Sequence, residues 1–397
     1  MRNSFVLLIV LLSGCNNQQQ DSGRKGPESK ISAVPDIRPE TKKQTSITGK
    51  WGIKDYYSVD KLLNYMVDSI YRSLSNSEKS AQMIMAATSE YDGIGLPFKT
   101  VLALYKNRII GSVLFLKGKR SVFSKEINLL NTTSHSSKIF PAVFACDCEP
   151  SLFHKKFTDA DSLTPASLLH NIDEVKQVAT LISTEMKKMG LHWNFAPVAD
   201  INENKEIIND RSFGHDNSEV IEKSVAFIQA STNNNIATSI KHFPGHGAVK
   251  GDSHKNLVYI DSSFKELDNF TSIIRQANPV SVMVGHIAVK NNSGFNTSGM
   301  PATLSKKIVT DLLKDSLGFK GIVITDAMNM GAVKNIEDAD FRTVLAGNDL
   351  ILIPEHIQSL HKRIMTQLNG SPETRKRISG SIKKMIRLKI CLGLFTN

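Results

Sequence analysis

Eight short apolar runs, each separated from the next by a stretch with helical patterning, constrain this chain more than any other feature. They are QMIMAA at 82–87, IIGSVLFL at 109–116, FPAVFA at 140–145, WNFAPV at 193–198, IATSI at 236–240, VSVMVG at 280–285, GIVIT at 321–325 and DLILI at 349–353. Each is almost continuously apolar, as a strand buried on both faces must be, and strands alternating with helices build a parallel sheet. Between the runs, Ile172, Val175, Val178, Ile182, Met186 and Met189 form one helical stripe with Gly190 as its stop. Ser263 with Glu266 reads as a capping box opening a helix that carries Phe270 and Ile274 and ends before Pro279. Ser305 precedes a further helix bearing Ile308, Val309, Leu312 and Leu313, stopped by Gly318. This pattern predicts an α/β fold: a TIM-like (β/α)8 barrel, one catalytic domain over 51–397, in preference to an open doubly wound sheet.

The residues that end the runs sharpen that expectation. Asp147, Asp200, Lys241 with His242, His286 and Asp326 all fall just past the carboxyl end of an apolar run. In a parallel barrel those ends converge on one mouth, where active sites are built. The densest stretch is KHFPGHGAVKGDSH at 241–254, in which three glycines make the loop pliable. Asp252 and His254 are two apart, close enough for the carboxylate to hold one imidazole nitrogen while the other faces a substrate. Three histidines and an aspartate in so short a span could also ligate a metal. Pro244 and the glycines exclude a helix presenting His at i and i+4, so no metal and no cofactor are expected.

KHFPGHG followed by DSH, together with DRSFG at 210–214, FAPV at 195–198, PATLS at 301–305 and the strand-end aspartate of VITDAM, resembles the family 3 glycoside hydrolases. Within that family the pattern is similar to single-domain β-N-acetylglucosaminidases, and it runs from about residue 78 to the C-terminus. The resemblance implies that Asp326 is the nucleophile of a retaining mechanism, that His254 is the acid/base and that Asp252 orients it. It also implies that Asp147, Arg211, Lys241 and His242 bind the sugar. Asp200 and His286 are left outside the catalytic set, and the alternative for Arg211 is a structural, salt-bridged arginine.

One segment departs from the pattern. Where the family carries a DQEGGR-like run, this chain has DCEPSLFHKKF, keeping Asp147 and Glu149 but losing both glycines and the arginine. Lys155 is the expected replacement, a point charge in place of a bidentate fork. Cys146 and Cys148 flank Asp147 and read as buried packing residues, with a disulfide to Cys391 left open.

The chain carries a formal net charge of +11, a balance that can signal a nucleic-acid partner. The excess is local: residues 361–397 hold nine Lys or Arg against the single Glu373, while 51–360 is close to neutral. A basic tail on a neutral body argues against a nucleic-acid groove and suggests a solvated face on a terminal helix, or contact with anionic envelope polymers. At the other end, FVLLIVLL at 5–12 follows Arg2 and is too short to span a bilayer as a helix. Leu12, Ser13, Gly14 and Cys15 resemble a bacterial lipobox, so residues 1–14 are expected to be a lipoprotein signal peptide and Cys15 the lipidated residue. Residues 15–50 are expected to be a flexible tether, because their few large apolar side chains cannot offset the entropy of ordering.

The expected protein is therefore an envelope-anchored monomer, periplasmic or on the outer membrane, held by lipidated Cys15. It is expected to release terminal β-linked GlcNAc from peptidoglycan fragments or related amino sugar chains. The alternatives are another family 3 β-glycosidase, a glycoside phosphorylase, or a glycan-binding lipoprotein with weak catalysis.

Overall fold

The computed structural model describes residues 50–395. The expected signal peptide, Cys15 and nearly all of the expected tether lie outside the described residues. Among the described residues ten strands occur: β1 (Ile84–Thr88), β2 (Ser112–Phe115), β3 (Val143–Cys146), β4 (Trp193–Asn194), β5 (Ala237–Phe243), β6 (Val258–Asp261), β7 (Ser281–Val284), β8 (Ile287–Lys290), β9 (Ile322–Thr325) and β10 (Ile351–Leu352). Eight of them, one from each apolar run, make a parallel sheet in the order β10-β1-β2-β3-β4-β5-β7-β9. A parallel bridge between Ile324 and Leu350 joins the two outer strands, and the sheet becomes a (β/α)8 barrel. Closure removes the sheet edges, which explains why strands of two to seven residues suffice.

The barrel strands are buried along their whole length, with Phe115, Phe144, Trp193 and Phe243 among the largest fully enclosed side chains. Truncating one such phenylalanine to alanine costs about 3–5 kcal/mol. Helix Ile172–Met189 forms where its stripe predicts, capped by Asn171 at its start and by left-handed Gly190 at its end. Helix Lys307–Ser316 likewise buries Ile308, Val309, Leu312 and Leu313. Cys146, Cys148 and Cys391 are all buried free thiols. No described helix is long and apolar enough to cross a membrane.

Two expectations are corrected here. Helix Leu267–Ala277 has no capping box: Glu266 turns inward and accepts the backbone N–H groups of Ile201 (2.7 Å), Gly247 (3.1 Å) and Ala248 (3.2 Å). Three buried donors outcompete one exposed cap, because an unsatisfied buried amide costs more than one facing water. The basic C-terminal helix Pro372–Cys391 is a solvated cationic face only in its first half, where Arg375 and Lys376 are exposed. Lys389 is fully buried against Gln82 and the Gly111 carbonyl, Lys384 pairs with Asp349 at 2.8 Å, Arg387 donates to the carbonyls of Tyr56 and Ser58, and Lys383 pairs with Asp68 at 2.8 Å. These charges tie the last helix to the barrel.

A feature that periodicity did not signal lies at the mouth. Strands β6 and β8 pair in parallel as a separate ribbon, joining the loop after β5 to the loop after β7. The ribbon gives the long glycine-containing loop a fixed far end.

Candidate active site

A cavity of about 620 Å3 opens at the carboxyl ends of the barrel strands. Leu114, Met283 and Leu352 form apolar parts of its wall, and Asp147, Glu149, Lys156, Arg211, Lys241, His242, Asp252, His254 and Asp326 supply its charge. All the expected site residues except Lys155 thus meet in one cavity. Lys155 is exposed and points elsewhere; its neighbour Lys156 lines the cavity and reaches Asp147 at 3.3 Å. The KKF pair carried the right charge, but the short helix Phe153–Lys156 decides which lysine faces inward.

On one side the cations and carboxylates interlock. Lys241 Nζ lies 2.8 Å from Asp147 and 2.6 Å from Glu149. Arg211 grips Glu149 with a fork, Nε and Nη2 each at 2.8 Å, and donates through Nη1 to the Ile207 carbonyl at 3.0 Å. Burial alone would raise the Glu149 carboxyl, but Arg211 and Lys241 outweigh it and hold it at about 2. Asp147 is held lower still, because Lys241 and Lys156 overcome its burial in the same way. Arg211 is therefore both salt-bridged and cavity-lining. Glu149, unassigned from sequence, proves to be the carboxylate that joins Arg211 to Lys241.

Asp200 is fully buried beneath this group. Its carboxylate accepts from His242 Nδ1 at 2.6 Å and from the backbone N–H groups of His242 at 3.0 Å and His246 at 2.8 Å. That leaves His242 Nε2 as the ring nitrogen available to the cavity. His286 spends both nitrogens in support: with Nε2 it donates to the Ala327 carbonyl at 3.0 Å, and with Nδ1 it accepts from the Thr303 hydroxyl at 2.9 Å. Burial pushes its imidazole below the ordinary range, consistent with this neutral tautomer. It holds the residue next to Asp326 and does not line the cavity.

Asp326 leaves β9 with its backbone N–H donating to the Val284 carbonyl at 2.9 Å, while its carboxylate accepts from Ala327 N–H at 2.8 Å. Burial would raise this carboxyl, but His242, His286 and the Ala327 amide together hold it below the usual carboxylate range. It is an anion at neutral pH. Also lining the cavity, Asp252 accepts from His254 Nδ1 at 2.8 Å and from His254 N–H at 2.9 Å. Burial opposes the charge on Asp252, and these two donors outweigh it, holding the carboxyl low. Nδ1 thus carries its proton toward Asp252, and Nε2 of an imidazole 58% exposed remains for proton exchange. Among the described residues no group of three or more His, Cys, Asp or Glu could hold a metal ion.

The arrangement offers a fixed carboxylate, an oriented imidazole on the same cavity wall and a set of paired charges able to bind hydroxyl groups. The chain is similar to several known proteins. The "Beta-hexosaminidase A" of Pseudoalteromonas piscicida is 33% identical over 54% of this chain and 40% of its own length. The "Beta-hexosaminidase LpqI" of Mycobacterium tuberculosis is 34% identical over 55% of this chain and 59% of its own. The chain therefore matches about half the length of these relatives. A solved family 3 β-N-acetylglucosaminidase from Paenibacillus sp. str. FPU-7 superimposes with a TM-score of 0.72 at 23% identity, over 82% of this chain and 64% of that one. Residues 76–388 match the glycosyl hydrolase family 3 N-terminal domain, a span that holds every barrel strand and every charged residue of the cavity, and the chain belongs to that family.

Proposed function

We propose that the protein is a retaining exo-β-N-acetylglucosaminidase. The observation that carries this reading is the common cavity: the Asp326 carboxylate and the Asp252–His254 pair line one hollow of sugar size. Asp326 attacks the anomeric carbon while His254, protonated on Nε2, gives that proton to the departing glycosidic oxygen. The C–O bond to the leaving group breaks and an ester to Asp326 forms. His254, now neutral, takes a proton from water, the hydroxide attacks the anomeric carbon, and Asp326 leaves as a carboxylate. Asp252 stays ionised throughout and stabilises the imidazolium. Lys241, Asp147, Arg211 and His242 bind the ring hydroxyls, with Lys156 in the place assigned from sequence to Lys155.

The names of the hexosaminidase relatives support an amino sugar at the cleaved position. Peptidoglycan fragments are the natural substrate in this reading, which follows from the lipobox-like Leu12–Cys15 and an envelope location. The test is turnover of an aryl β-N-acetylglucosaminide. Asp326→Ala removes it, by a factor on the order of 10³ or more, with the fold intact; equal activity of variant and wild type ends the proposal. Labelled palmitate entering the wild type and not Cys15→Ala tests the anchor.

A further inference from the structure

The imidazole assigned to proton transfer stands on an exposed loop, yet the residue between it and its aspartate is buried. Ser253 is 1% exposed, against 58% for the His254 side chain. Its hydroxyl points into the protein and meets His246 Nε2 at 2.9 Å. His246 is itself fully buried, and its other ring nitrogen, Nδ1, faces the side-chain amide nitrogen of Asn204 at 3.3 Å. The orientation of that amide is set independently, because Asn204 Oδ1 accepts from Glu206 N–H at 3.1 Å and Nδ2 donates to the Gly251 carbonyl at 3.0 Å. An amide nitrogen only donates, so Nδ1 accepts, and Nε2 carries the ring proton and donates it to Ser253. Burial, with the His242 ring close by, pushes His246 down to about 4, which keeps this single tautomer at neutral pH.

Other contacts hold the same loop. Asp200 and Glu266 fix its first turn through the amides of His246, Gly247 and Ala248. Its far side rests on the segment after Asp326, where Gly331 N–H donates to the His254 carbonyl at 2.9 Å. A Cβ at Gly331 would lie 2.3 Å from the Lys255 carbonyl oxygen and 2.8 Å from that of His254, so the two loops are in backbone contact. Gly251 takes the left-handed region at φ +97° where the chain enters the turn that carries Asp252 and His254.

We propose that Asn204, His246 and Ser253 form a buried strut that positions the Asp252–His254 pair against Asp326. None of the three touches substrate; all act through the loop they hold. The inference rests on His254 being the acid/base, and its test separates the two. A misplacement of about 1 Å at a proton-transfer group can cost on the order of 100-fold, and loss of one strut bond gives part of that. Ser253→Ala should lose roughly tenfold or more in kcat on a phenyl β-N-acetylglucosaminide, which has a poor leaving group. A dinitrophenyl substrate, needing no acid in the first step, should stall at hydrolysis of the glycosyl-enzyme, and added azide, which needs no base, should restore its turnover. Ser253→Thr, keeping the hydroxyl, should stay near wild type, and Asn204→Ala should repeat the Ser253→Ala pattern more weakly. Activities are taken per folded molecule, with thermal midpoints recorded alongside. Wild-type leaving-group dependence and no azide response in Ser253→Ala, while His254→Ala shows both effects, overturns the strut alone. Absence of both effects in His254→Ala overturns the acid/base assignment, and the strut with it.

Discussion

Two clusters of buried charge occupy opposite ends of the same barrel. At the carboxyl ends of the strands, Asp147 and Glu149 share Lys241, with Arg211 and Lys156 beside them. At the amino ends, Asp349 accepts from Lys314 at 2.9 Å, Lys384 at 2.8 Å, Ser381 at 2.7 Å and the Val323 amide at 2.8 Å. Both ends hold carboxylates far below their ordinary range against the pull of burial. The lysines respond in opposite directions. Lys241 is buried but faces two carboxylates, and it is raised; Lys314 shares one carboxylate with Lys384, and burial pushes it down to about 8. The lower cluster packs against the C-terminal helix, which supplies Ser381 and Lys384, whereas the upper one lines the cavity. Strong perturbation of a carboxylate therefore marks burial and pairing; access to a cavity is what makes it a candidate for chemistry.

The contrast can be tested directly. Asp349→Asn and Glu149→Gln each strip the charge from a buried, paired carboxylate, and each should destabilise the fold by about 3–5 kcal/mol in denaturant titrations. Only Glu149→Gln should also reduce kcat/KM per folded molecule, because only that cluster faces the substrate; an equal catalytic loss in Asp349→Asn would break the distinction. A smaller effect comes from pH. Glu149 has a folded value of about 2 against an ordinary 4.5, so its charge stabilises the protein above pH 4.5 and that stability is lost as pH falls from there toward 2. The gap in thermal midpoint between wild type and Glu149→Gln should therefore close over that window and not at higher pH. Smallest is the lysine pair: Lys156→Ala should raise KM several-fold, worth about 1 kcal/mol, while Lys155→Ala should leave KM and kcat unchanged. The reverse result would restore the sequence-based assignment.

Much of this architecture was legible before any coordinates. All eight barrel strands arise from the eight apolar runs, since a strand covered on both faces must be apolar along its length and that signal is local. The positions of Asp147 and Asp326 just past their strands followed from the same reasoning, whereas Lys241 and His242 lie within the last three residues of β5; the two-residue spacing of Asp252 and His254 was short enough to foresee their hydrogen bond. The misses share a cause. Glu266 looked like a helix cap because Ser263 stands three residues before it, but its partners Ile201 and Gly247 are distant in sequence. Lys384 and Arg387 of the last helix looked solvated because their partners, Asp349 and Tyr56, come from distant parts of the chain.

The sequence by itself determined the alternation of strand and helix, the residues that end the strands and the family to which the chain belongs, because these rest on local periodicity and contiguous motifs. Only the tertiary structure decided which lysine faces Asp147, that Glu149 joins Arg211 to Lys241, that Glu266 pins a loop, and that Ser253 turns inward to His246. Those outcomes depend on which buried polar groups find partners, and partners are assigned by three-dimensional proximity once the apolar core has closed.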